Sequence, residues 1–233
     1  MIPLHDDNPT TVFPIVTIAF IVICTLVYMW EYSLGPAMQQ AVLTYGAIPA
    51  AVVGRMPLPP EIHVIPTGMT VFTSMFMHGS WMHLIGNMLY LWIFGNNVED
   101  AMGHVRFIVF YILCGVLAFL AHAMGDTSSQ IPTVGASGAI SGVLGAYLLL
   151  HPRARVLVAI PFGFFIHTTR LPAALVLGFW FVLQLISSSL DKSGEAGVAF
   201  GAHIGGFIAG MALIPLFKSK NVRLFTQGNP RIR

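Results

Sequence analysis

VRFIVFYILCGVLAFLAHAM, residues 105–124, carries one Arg near its start, one His near its end and otherwise only apolar or small side chains. Coiled as a helix at ~1.5 Å per residue it is ~30 Å long, the thickness of a bilayer's hydrocarbon core, where a backbone must satisfy its own hydrogen bonds. Working outward, five further segments read the same way: 12–30, 82–96, 137–151, 171–189 and 198–217. Of these, 82–96 and 137–151 are short for a full crossing. The composition agrees. Of 233 residues 56% are hydrophobic and 9% charged, with a mean hydropathy of +0.78. A soluble domain needs about 25% charged residues to stay dispersed. Nine acidic residues against eleven Lys and Arg leave too little charge for a nucleic-acid partner. The expected fold is an all-α, six-helix membrane protein, with an N-terminal segment 1–11, a helical domain 12–217 and a basic tail 218–233.

Basic residues set the expected orientation, because Lys and Arg accumulate in cytoplasmic loops. Arg106, Arg153, Arg155, Arg170, Lys218, Lys220, Arg223, Arg231 and Arg233 fall on one side, and only Arg55 and Lys192 on the other. Both termini are therefore expected in the cytoplasm. Helices two, four and six then each enter the membrane from outside at their N-terminal ends. The stretch before residue 12 has no Lys or Arg and the following apolar run is long, so the first helix is expected to remain as an anchor rather than be cleaved.

The one long connection, 31–81, ends in PTGMTVFTSMFMHGSWMH (66–83), whose ionisable side chains are two His. Such a segment suits the membrane interface or the flank of the bundle. Cys24 and Cys114 lie inside apolar runs and read as packing residues.

Ionisable and strongly polar groups within spans are costly, so each is a functional-site hypothesis. Helix two opens on His78, His83 and Asn87, helix four on Ser137 and Ser141, and helix six carries His203. His83 with Asn87, and Ser137 with Ser141, share helical faces. Gly138 with Gly142, and Gly206 with Gly210, are small-residue pairs that let helices four and six approach closely. Close approach would put Ser137 and His203 within hydrogen-bond reach. A serine hydroxyl attacks only when a base takes its proton, and His is suited to that task. By these boundaries all nine acidic residues fall in termini or loops, so the pair would act as a dyad without a carboxylate. The Ser137 N–H, the Asn87 amide and His83 could serve the oxyanion. His78 and Ser80 could wet the cavity mouth.

HGSWMHLIGN (78–87), GASG (135–138) and AHIGG (202–206), in that order on helices two, four and six, resemble the rhomboid intramembrane serine proteases. The resemblance runs over 67–217 and includes GNNVEDAMG (95–103). It implies Ser137 as nucleophile, His203 as general base, and His83 and Asn87 as the oxyanion pair, with Gly135, Ser141 and His78 supporting the site. It also implies a laterally embedded first loop, a cap formed by 191–197, and cleavage of single-span transmembrane substrates reached through lipid, with no cofactor or metal. The expected home is a prokaryotic inner membrane, with the site opening outward. Where relatives often carry a Tyr that packs on the catalytic His, this chain has Ser141. Helix packing and a Ser141 hydroxyl contact are the expected means of orienting His203. Two rivals stand beside this reading. One is a catalytically idle relative that binds or escorts membrane proteins. The other is a metal-dependent membrane hydrolase using His78, His83 and His203. An HExxH motif and an intramembrane carboxylate pair are both absent from the sequence.

Overall fold

Apolar runs that must satisfy their own backbone groups fold as helices in the computed structural model, which describes residues 1–163, 165–190 and 199–226. The longer helices are α1 (Ile15–Ser33), α2 (Trp81–Met102), α3 (His104–Gly125), α4 (Ser137–Leu150), α5 (Ala173–Leu190) and α6 (Phe200–Phe217). Four of them, α1, α3, α5 and α6, are long and apolar enough to cross a membrane. Helix α2 has 22 residues but ends on the polar run NNVEDAM, and α4 has only 14.

The chain is mostly helical rather than all-α. Strands β1 (Ile2–Asp6), β2 (Arg155–Phe162) and β3 (Phe165–Pro172) form an antiparallel sheet in the order β1-β2-β3. The cause is local. Val156, Val158 and Ile160 alternate with period two, Gly163 at φ 58° supplies the turn, and the apolar run from 173 is left to start α5. A search for runs of twenty apolar residues passes over such a hairpin.

Glycine governs the packing of α4 on α6. A Cβ on Gly206 would collide with the Gly138 carbonyl oxygen, and one on Gly210 with the carbonyl of Gly142. The two backbones touch where the small-residue pairs placed them.

Three acidic residues lie inside helices, against the expectation that all nine fall in termini or loops. Glu31 sits in the last turn of α1, fully buried, and its Oε2 accepts the His78 backbone N–H at 3.1 Å. Glu99 and Asp100 belong to α2, which runs six residues past its expected end. They brace the start of α1. Glu99 accepts from the Val16 and Thr17 N–H groups at 2.9 and 2.8 Å and from Thr17 Oγ1 at 2.7 Å, while Asp100 accepts from Val12 N–H and Thr11 Oγ1. Carboxylates at a helix N-terminus answer its unpaired N–H groups and positive dipole end.

The connection before α2 carries short helical turns, the longest Met38–Tyr45, and is pinned to the segment before α4. Ala47 and Thr133 exchange backbone hydrogen bonds, and Gly135 N–H donates to Ser74 O. Cys24 and Cys114 are buried and unbridged.

The sheet lies at the end of the bundle where α1 starts and α2 and α4 finish. There Asp6 Oδ2 accepts from Tyr147 Oη at 2.6 Å and from Asn97 Nδ2 at 3.0 Å, and Asn8 donates to Asn97. The N-terminal ends of α2, α4 and α6 lie at the opposite end.

Candidate active site

Ser137 is the first residue of α4, so its N–H has no acceptor within the helix. His203 sits in the first turn of α6. The glycine contact brings them together: His203 Nε2 lies 2.8 Å from Ser137 Oγ. On the far side of the ring, Nδ1 lies 2.7 Å from Gln184 Oε1 on α5. An amide oxygen can only accept, so Gln184 holds the proton on Nδ1 and leaves Nε2 to accept the serine proton. The amide is itself oriented, since Gln184 Nε2 donates to Trp180 O at 3.4 Å. The Trp180 ring stands 5.9 Å from the imidazole at 36°, and Phe200 meets it edge-on.

Gln184 and Trp180 were not among the expected site residues. Ser141 does not orient the imidazole; its hydroxyl donates to the Ser137 carbonyl at 2.6 Å, one turn back along α4. Ser137 and His203 are joined by a third polar side chain, neutral rather than acidic.

A cavity of about 570 Å³ opens beside the pair, lined by Ser137, His203, His83, Asn87, Gly135, Ser141 and Trp180, among others. Gly135 has φ 128°, and a Cβ there would fall 2.8 Å from His83 Nε2 and 3.6 Å from Ser137 Oγ. That backbone shape and that space both require glycine. Asn87 is 8% exposed and its Nδ2 has no acceptor among the described residues. A buried amide donor without a partner costs about 1–3 kcal/mol, so one facing a cavity is poised for an incoming acceptor.

His78 lies elsewhere. It is fully buried, does not line the cavity, and packs edge-on against His83 with centroids 5.2 Å apart. It cannot wet the cavity mouth, a position Ser80 does occupy while also capping α2 through the His83 N–H. Among the described residues no group of three His, Cys, Asp or Glu is placed to hold a metal. The segment 191–197, expected as a cap, lies outside the described residues.

Apolar outer faces around a cavity that holds a few polar side chains define the class: a polytopic membrane protein with a candidate site between its helices. Residues 67–220 match the family model described as Rhomboid domain, and the chain belongs to the rhomboid family. It is an integral membrane protein. Relatives include RHOMBOID-like protein 5 of Arabidopsis thaliana, 29% identical over 61% of this chain and 42% of that protein. The Bacillus subtilis rhomboid protease GluP is 34% identical over 61% of this chain and 25% of its own length. Rhomboid-like protease 5 of Toxoplasma gondii is 33% identical over 60% of the chain and 15% of its own. The chain thus spans less than half the length of each of these three relatives.

Proposed function

We propose that this chain is an intramembrane serine endopeptidase that hydrolyses a peptide bond in or near the transmembrane segment of membrane-protein substrates. The observation that carries the reading is the 2.8 Å contact between Ser137 Oγ and His203 Nε2 beside a cavity in an apolar bundle. Ser137 attacks the scissile carbonyl as His203 takes its proton at Nε2. The other proton stays on Nδ1, which donates it to Gln184 Oε1, and that hydrogen bond steadies the imidazolium. The oxyanion is met by the Ser137 N–H at the positive end of α4 and by the unpaired Asn87 amide, with His83 beside them. The imidazolium then returns its proton to the leaving amine. Water, activated at the same Nε2, releases the acyl group from Ser137.

In the same reading α2 and α4 also span the membrane, giving six crossings. Both termini and the sheet are cytoplasmic, in keeping with Arg106, Arg153, Arg155, Arg170, Lys218, Lys220 and Arg223 at the sheet end. Helix α4 is ~21 Å long, so Ser137 would lie ~10 Å below the outer lipid surface. Substrates would be single-span helices entering from lipid, loosened by small residues or Pro, because a helix's own hydrogen bonds shield its carbonyls from attack. The connection before α2 would lie in the outer leaflet.

Purified protein in vesicles, incubated with a single-span substrate containing Gly and Ala in its upper third, tests this. Native protein should cut it, whereas Ser137→Ala and His203→Ala should not. Full cleavage by Ser137→Ala would end the proposal, and cleavage abolished by chelation would favour metal chemistry.

A further inference from the structure

The β2–β3 hairpin carries an apolar stripe that outruns the bundle beneath it. In an antiparallel pair, residues directly opposite share a face, so Val156 with Leu171, Val158 with Thr169, Ile160 with His167, and Phe162 with Phe165 all point the same way. Val156 and Val158 are fully buried within the helical core, and Ile160 and Leu171 pack against it. This is therefore the face turned toward the helices and the membrane they cross. Along it burial fades abruptly: Phe162 and Phe165 are each 80% exposed. The tip overhangs the rim of the bundle.

The composition of the tip is wrong for water. Residues 161–166 read PFGFFI, without one polar side chain, where a hairpin turn in solvent favours Asn, Asp or Ser beside its Gly. On the opposite face the tip pair is Pro161 with Ile166, also apolar and exposed, and polar side chains come only farther back, at Thr168, Arg170 and Arg155. Two exposed rings on the bundle-facing side of a sheet at the helix ends are placed to meet lipid rather than water.

We propose that the tip of the β2–β3 hairpin is a lipid-binding wedge: Phe162 and Phe165 enter the headgroup–acyl boundary beside the bundle. The hairpin joins α4 to α5, so the wedge ties the lipid surface to the helices that carry Ser137 and Gln184. It rests on the membrane assignment alone and holds whether or not the site cleaves peptides.

Spin labels on Phe165→Cys, Phe162→Cys and, as an outer-face control, Thr168→Cys test it in vesicles of phosphatidylcholine and phosphatidylglycerol. Cys24 and Cys114 are fully buried, which directs the label to the new thiol. At 162 and 165, collision with oxygen relative to a water-soluble nickel chelate should be several-fold higher than at 168. Nickel access equal to that at 168 would overturn the wedge. So would labels shielded from both reagents at high but not low protein-to-lipid ratio, because a second copy of the chain would then cover the tip. A photoreactive benzoylphenylalanine at 165 gives an independent reading: cross-linking to phospholipid is expected, and exclusive cross-linking to protein refutes the wedge.

Discussion

Replacing Gln184 separates a positioning role from a packing one. Its Oε1 lies 2.7 Å from His203 Nδ1, and that ring carries positive charge once it has taken the serine proton. A hydrogen bond to a charged group contributes about 1.5–3 kcal/mol, and each 1.4 kcal/mol is tenfold in rate, so Gln184→Leu should lower kcat roughly 10–100-fold. The volume is nearly kept and Gln184 does not line the cavity, so KM should stay within about twofold. Gln184→Glu keeps an acceptor at the same reach and should recover most of the rate. The assay is steady-state cleavage of one transmembrane substrate in vesicles, with thermal unfolding of each variant in detergent alongside. Unchanged kcat in Gln184→Leu, or equal loss in Leu and Glu variants of native stability, would refute the positioning role.

Gly206→Ala should force α6 off the Gly138 carbonyl, destabilise the fold by about 1–3 kcal/mol and abolish cleavage, whereas Gly178→Ala, which meets open space on α5, should change neither. Burial pushes the Asp6 carboxyl from 3.8 up to about 6, so the folded chain holds that proton more tightly than the unfolded one. Its contribution to stability is therefore largest at acid pH and falls by about 2–3 kcal/mol as pH rises from ~4 through ~6. Asp6→Asn, which keeps an acceptor for Tyr147 and Asn97, should flatten that stretch of the profile, as unfolding measured at several pH values will report. Glu99→Ala strips the buried acceptor from Val16 N–H and Thr17 N–H and should cost about 1–3 kcal/mol in the same assay, because those donors then face no partner.

The pairing of Ser137 with His203 was legible because lipid makes it so: polar side chains within apolar runs are few, and glycines spaced by four name the face on which helices meet. Gln184 met the same criterion, a lone amide in LVLGFWFVLQLI (175–186), but it stands on helix five, outside the motifs of helices two, four and six. Glu31 was lost to a helix boundary drawn three residues early, at 30 where α1 runs to Ser33. Ser141 was assigned by position in a motif, which says nothing of rotamer; a Ser hydroxyl within a helix bonds readily to the carbonyl four residues back. The sheet was missed for another reason. Strand β2 turns Val156, Val158 and Ile160 to the core at a period that hydropathy averaging erases, and the pairing of β1 with β2 joins residues 150 or more positions apart.

Labelling with a fluorophosphonate followed by peptide mass spectrometry asks the central question of the molecule itself, whether Ser137 is made nucleophilic by His203 inside the membrane. The probe's mass should appear on the peptide containing Ser137 in the native chain and vanish in His203→Ala, whose serine is intact but has lost its base. A modified residue other than Ser137, or undiminished labelling without His203, would contradict the account.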